Sequence, residues 1–600
     1  MAFLISCQEI SKSFGSRPLF RDITLGIDDG ERLGLIGPNG SGKSTLLKIF
    51  AGLERADSGL VSGRRSLRME YVAQSEDLPA GMSVEEALLR ALADLPLEDA
   101  ERQVRVAMIL AQAAFPRAEQ QVEHLSGGWR KRLSIARALV REPDLLLMDE
   151  PTNHLDLEGI LWLEELLKGA SFAYVVITHD RYFLEKVTNR IVELNAAYPE
   201  GFLSVQGTYS DFLTHRGEAL EAQLKRQQAV ANKVRREVEW LGHTAAARST
   251  KANFRIKDAY RLMDDLSELK FRNTRNQAAE IDFDSTGRKT RGLLTAKGVE
   301  KSMDGRKLFS NLDLALSPGM KLGLIGPNGS GKSTLIKLLT GELEPDRGEI
   351  RRADGLRVVL FDQARAQLNM DDSLRQALSP TGDTVIYRGG QMHVAAWAKR
   401  FLFDPSILEM SIRFLSGGEQ ARILLAQLML QPADLLILDE PTNDLDIPTL
   451  DVLEDSLQDF PGAILLVTHD RYLLDHVSTE VLALDGRGGT GFYADYSQWE
   501  RARELREALD TKPTRAVVKP KGEPTAKRLS TPEQRELSRM EAKIEAAEAA
   551  TEALRERMND PAVATDHQKL RDCWAEIQAS EKRVADLYAR WEELEAKRSG

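Results

Sequence analysis

Fourteen consecutive residues, LGLIGPNGSGKSTL, stand at Leu33 to Leu46 and again, unchanged, at Leu322 to Leu335, 289 positions later. This duplication limits the fold more than anything in the composition. Each copy contains G-x-x-x-x-G-K-[ST], at Gly37 to Ser44 and Gly326 to Ser333, a pattern whose glycines let backbone N–H groups converge on phosphate oxygens at a helix N-terminus. Aligning the loops brings the rest into register. Phe20 matches Phe309, Gln74 matches Gln363, LSGG at Leu125 matches LSGG at Leu415, and LLLMDEPTN matches LLILDEPTN. The spacings agree within about one residue, so the repeating unit is a whole domain.

Within each unit an apolar run (ERLGLIG, MKLGLIG) reads as a buried strand ending at the loop, and STLLKIFAG or STLIKLLTG as the helix that follows. DLLLMDE or DLLILDE and YVVITHD or AILLVTHD are further buried strands, separated by helical patterns. Alternation of this kind predicts an α/β fold with a mostly parallel sheet and a ligand at the carboxyl ends of the strands. The expected organisation is two tandem P-loop nucleotide-binding domains, 1–208 and 292–505, joined by a basic α-helical hairpin linker at 209–291. A flexible basic tether, 506–530, and an antiparallel coiled-coil hairpin, 531–600, complete it. The coiled coil is read from 3 and 4 spacing through Leu537, Met540, Ile544, Ala547, Thr551, Leu554 and Met558, broken by NDP at Asn559 and resumed from Leu570 to Leu594. Two ordinary amphipathic helices are the other reading of that pattern.

The residue types state the chemistry. The first phosphate loop comprises Gly37, Pro38, Asn39, Gly40, Ser41, Gly42, Lys43, Ser44 and Thr45; the second comprises Gly326, Pro327, Asn328, Gly329, Ser330, Gly331, Lys332, Ser333 and Thr334. Lys43 and Lys332 are expected to reach the β and γ phosphates of ATP, and Ser44 and Ser333 to ligate Mg²⁺. Asp149 and Asp439, each closing a buried strand, are placed to hold the Mg²⁺ shell, and Glu150 and Glu440 to polarise the attacking water. The alternative for these carboxylates is a cap on a strand end.

Together with LSGG, the glutamines Gln74 and Gln363, NHLD or NDLD, and THD, these motifs resemble those of the ATP-binding-cassette ATPases over about 400 of the 600 residues. The resemblance implies that Ser126, Gly127 and Gly128 of one unit close over ATP held by the other unit's loop, and that Ser416, Gly417 and Gly418 do the reverse. It implies Gln74 and Gln363 near the metal, and His179 and His469 on the γ-phosphate. One position breaks the symmetry. Phe14, 23 residues before Gly37, stands where such proteins stack an aromatic on adenine, whereas the second unit has Met303. A place in the core is the other reading of Phe14.

The formal charge of −11 argues against nucleic acid for the chain as a whole, but its distribution does not. Residues 214–291 carry 17 Lys and Arg against 11 Asp and Glu, and residues 512–528 carry six bases and one acid. Two cassettes joined by such a linker, with DEPTNHLD and THDRY motifs, resemble the ABC-F family. That implies the ribosome as partner, with the linker tip (Trp240, His243, Arg248, Lys251, Phe254, Arg255, Lys257) on rRNA and P-site tRNA, cations for phosphate and aromatics for stacking. A solvated charged helix is the alternative. The segment after the second cassette is similar to the Uup type within that family, which implies DNA or RNA binding through residues 512–600. The two cysteines, Cys7 and Cys573, exclude a zinc or iron–sulfur module. No window of about 18 apolar residues and no export signal is present. The expectation is a cytoplasmic monomer with intramolecular cassette pairing, independent of membranes; a transporter ATPase subunit and a DNA-structure ATPase remain as alternatives.

Overall fold

Each cassette in the computed structural model is built around a six-stranded sheet whose central strands are almost wholly buried. The structure describes residues 3–243 and 292–510, with breaks at 15–16, 75–77, 79–80, 116, 154, 304, 362–367, 381 and 443–444. Elsewhere it describes residues 259–263, 266–267, 281–283, 285–286, 543 and 580. Two compact units are present, Met1–Ala508 and Leu509–Gly600. The expected coiled-coil seam and nearly all of the tether therefore lie outside the described residues.

In the first cassette the sheet order is Met69–Val72, Leu145–Asp149, Ala173–Ile177, Arg32–Ile36, Arg190–Leu194 and Phe202–Gln206. The first five strands are parallel and the last is an antiparallel edge. The second cassette repeats this with Val358–Phe361, Leu435–Asp439, Ala463–Val467, Lys321–Ile325, Glu480–Leu484 and Thr490–Tyr493. Runs such as Leu145–Asp149 and Ala173–Ile177 are buried throughout because helices cover both faces of the parallel strands. A three-stranded antiparallel sheet packs beside each, from Phe3–Phe14, Arg17–Asp28 and Ser58–Gly63 in the first and their counterparts in the second.

The strand that leads to each phosphate loop has a glycine at its centre for a packing reason. A Cβ at Gly34 would lie 2.7 Å from Ile191 and 2.8 Å from Leu184, and one at Gly323 would lie 2.8 Å from Leu474. The absent side chain lets helices Arg181–Val187 and Arg471–Val477 press directly on the strand. Those two helices follow the THD motifs, so this contact fixes His179 and His469 relative to the loops.

The linker is anchored at both ends. Helix Tyr209–His243 starts on the first cassette, where Tyr209 and Phe212 are buried and stacked at 6.0 Å, Arg216 pairs with Glu193 at 3.4 Å, and Gln223 donates to the Ala197 carbonyl at 3.1 Å. Residues 281–283 join the second cassette instead. Ile281 and Phe283 enter its core, Phe283 packs edge-on to Phe460, and Asp282 takes a hydrogen bond from Tyr387 on its carbonyl and an ion pair from Arg388.

Candidate functional site: two composite nucleotide pockets

Both loops leave their strand through glycines in the left-handed region, at φ 143, 78 and 96 for Gly37, Gly40 and Gly42 and φ 154, 79 and 103 for Gly326, Gly329 and Gly331. This turns successive amides inward at the start of helices Lys43–Phe50 and Lys332–Thr340. Each lysine reaches back over its own loop: Lys43 Nζ donates to the carbonyls of Gly37 (2.8 Å) and Pro38 (3.2 Å), and Lys332 Nζ to those of Gly326 (2.6 Å) and Pro327 (3.4 Å). Burial pushes both lysines below their ordinary value, against the nearby Glu150 and Glu440. The hydroxyls of Ser41 and Ser330 are buried without a partner.

One pocket is lined by Phe14, Asn39, Gly40, Gly42, Lys43, Ser44, Thr45, Gln74, Glu150 and His179 from the first cassette and by Ser416, Gly417 and Gly418 from the second. The other is lined by Asn328, Lys332, Ser333, Asp439, Glu440 and His469 from the second cassette and by Gly127 and Gly128 from the first. Each pocket thus takes its phosphate loop from one cassette and its LSGG motif from the other. Ser126 sits at the N-cap one residue before that lining. Gln363, Arg248, Lys251, Phe254, Arg255 and Lys257 lie outside the described residues, and Trp240 and His243 are placed only as backbone at the end of the linker helix.

Ser44 Oγ donates to Asp149 Oδ1 at 3.0 Å, and Tyr71 Oη donates to Asp149 Oδ2 at 3.2 Å. The glutamates next in sequence hold strained backbone, φ 47 at Glu150 and φ 50 at Glu440, which turns them out of the strand. His179 Nε2 lies 3.2 Å from Glu150 Oε1 and His469 Nε2 lies 3.3 Å from Glu440 Oε1. Burial pushes the Glu440 carboxyl up to about 8, and burial with the adjacent Lys332 pushes His469 down to about 3. Threonine pairs fix the two motifs together, Thr152 to Thr178 at 2.8 Å and Thr442 to Thr468 at 3.2 Å. Phe14 is 56% exposed at the pocket rim, which removes the core reading; Met303 is 47% exposed, accepts a long contact from Thr334 (3.7 Å to sulfur) and does not line the second pocket.

Several contacts escaped sequence reasoning. Asp446 accepts from the Asn39 amide at 2.9 Å and Asp156 from the Asn328 amide at 3.2 Å, so each cassette grips the other's phosphate loop. Burial opposes ionisation of Asp446, yet hydrogen bonds from Thr449 and Asn39 hold its carboxyl below the usual range. Arg181, 3% exposed in its side chain, pairs with Asp451 at 2.7 Å and Glu454 at 3.2 Å; Arg471, fully buried, pairs with Glu164 and, at 3.2 Å, with Asp180. The signal for all four was present, since NHLD or NDLD and THDRY occur in both copies.

The buried, unpartnered hydroxyls of Ser41 and Ser330, together with the inward amides of the same loops, suit a polyanion. Among the described residues no three His, Cys, Asp or Glu form a metal cage of their own, so a hard cation at Ser44 and Asp149 fits only with phosphate oxygens completing its shell.

Two such pockets between paired P-loop domains define a tandem ATP-binding-cassette ATPase. Residues 20–153 and 309–443 match the family described as ABC transporter, and residues 528–596 match the ABC transporter C-terminal domain. The chain is 32% identical to the ATP-binding protein Uup of Escherichia coli over 100% of both chains. It is 32% identical to the energy-dependent translational throttle protein EttA of Haemophilus influenzae, over 84% of this chain and 96% of that one. Among solved structures, an archaeal ribosome recycling factor aABCE1 in complex with the stalk protein aP1 matches with a TM-score of 0.56 at 20% identity, covering 83% of this chain and 92% of that one, a likeness of fold. The chain belongs to the ABC-F family, with the layout of the proteins named Uup. Among the described residues no helix is long and apolar enough to cross a membrane.

Proposed function

We propose that this ATPase is a clamp on the ribosome. Two ATP molecules held between the cassettes draw them together, and the linker, 209–291, carries that change to rRNA and the P-site tRNA. The observation behind the reading is the linker's anchorage, with Tyr209 and Phe212 on one cassette and Ile281 and Phe283 on the other, so relative motion of the cassettes acts on it directly. Kinship with a protein named as a translational throttle supports the translational setting.

At each pocket the loop amides and Lys43 or Lys332 bind the phosphates, and the opposite LSGG motif, Ser416 to Gly418 or Ser126 to Gly128, covers the γ-phosphate. Glu150 and Glu440 orient the attacking water and accept its proton; His179 and His469 hold the transferring phosphoryl group in line. Ser44, Gln74 and Asp149 would hold Mg²⁺ in one site, and Ser333, Gln363 and Asp439 in the other, where it neutralises charge on the phosphates. Hydrolysis relaxes the pairing and releases the linker. On this reading the protein works in the cytoplasm as a monomer, and the basic run Lys512–Arg528 with the segment after it binds structured DNA or RNA.

Changing Glu150 and Glu440 to Gln preserves ATP binding and blocks turnover. The trapped protein is expected to sediment with ribosomes in ATP and not in ADP; ATP-independent or absent co-sedimentation sinks the proposal. Removing residues 512–600 should leave that sedimentation intact while abolishing retention of branched DNA or structured RNA.

A further inference from the structure

The two signature motifs are spelled LSGGW and LSGGE, and the fifth letter changes what the serine can do. In the second cassette Ser416 caps helix Gly417–Leu428, and Glu419, three residues on, completes a capping box. The Glu419 carboxylate accepts from the Ser416 amide at 2.8 Å and from its hydroxyl at 2.7 Å, and the Glu419 amide donates to Ser416 Oγ at 3.4 Å. In the first cassette the equivalent position is Trp129, whose indole packs against Phe115 at 5.2 Å and under the Arg132 guanidinium at 4.7 Å. It has no acceptor to offer, and the Ser126 side chain makes no cap.

The consequence is electrostatic. Ser416 donates its hydroxyl proton to a carboxylate, and that negative charge stands beside the group on which the γ-phosphate would dock. Ser126 carries no such commitment. We infer that Glu419 sets the two ATP sites apart: the site made from Lys43 and Ser416 holds ATP more weakly than the site made from Lys332 and Ser126, because Ser416 must turn away from Glu419 and the carboxylate repels the incoming charge. The inference rests on the reading of both pockets as ATP sites. It locates their inequality at the γ-phosphate, the opposite end of the nucleotide from Phe14 and Met303.

Single-site proteins test it. In a Glu150→Gln, Glu440→Gln background, Lys332→Met leaves only the Lys43 site to load, and Lys43→Met leaves only the Lys332 site. Equilibrium binding of ATP with Mg²⁺ is then measured with and without Glu419→Gln, which keeps the helix cap and removes the charge. The expected result is affinity tightened about fivefold at the Lys43 site and unchanged at the Lys332 site. Equal affinity before and after the change at the Lys43 site, or equal tightening at both sites, overturns the inference. Failure of both parent proteins to bind ATP overturns the nucleotide reading itself, and the inference with it.

Discussion

Arg181 and Arg471 stand directly after the THD motifs, and both are buried between the cassettes on carboxylates of the opposite one. Buried charges of this sort are costly to separate, since removing one partner leaves the other desolvated. Arg471→Met would leave Glu164, among the described residues, with Lys186 3.5 Å away as its cationic partner, and should lower stability by about 3–5 kcal/mol in chemical denaturation. Adding Glu164→Leu should recover most of the loss, which a double-mutant cycle would read directly. At this scale the sequence marked which residues matter through its repeated motifs, and gathered those that share one loop and strand end, but did not say which side chain meets which across the two domains. Spacing alone placed Lys43, Ser44, Asp149 and Glu150 in one pocket, because a phosphate loop and the end of a buried strand have few ways to meet. It could not pair Arg471 with Glu164, 307 positions away in the other cassette, since such pairing depends on how two finished domains dock.

Among elements, the strands were the most legible and the region before each signature motif the least. The first cassette places helix Asp99–Gln112 there, whereas the second uses a hairpin, Thr384–Tyr387 with Gly390–His393, followed by the short helix Val394–Arg400. The intervals from Gln74 to Leu125 and from Gln363 to Leu415 differ by one residue, so length concealed the change of structure. The hairpin has a use that the helix lacks. Tyr387 and Arg388 on it bind Asp282, which seats the returning end of the linker. Phe283, 5% exposed and packed on Phe460, is the apolar part of the same seat. Phe283→Ala should cost about 3–5 kcal/mol locally if the site cannot collapse. It is expected to increase hydrogen exchange over residues 281–286 and to remove the ATP dependence of ribosome sedimentation while single-site ATP affinity holds.

For the whole molecule, the reciprocal contacts of Asp446 with the Asn39 amide and Asp156 with the Asn328 amide tie each site's occupancy to the pose of both cassettes. Coupling of this kind is mutual by thermodynamic necessity. Asp156→Ala combined with Asp446→Ala should leave each phosphate loop able to bind ATP but bring the Hill coefficient of hydrolysis toward one, measured against the unaltered protein. On the proposed function the linker would convert the same pose into distance. Its first helix has 35 residues, about 52 Å at 1.5 Å per residue, and its foot is seated on the first cassette through Tyr209, Phe212 and the Arg216–Glu193 pair. Such a rod is a lever whose short arm is the width of a cassette contact. A rigid-body turn of about 15°, comparable to those of known switching assemblies, would sweep its far end through about 14 Å. On the proposed function, shifts of two or three ångströms between the cassettes would thereby be geared up several-fold at the helix's far end.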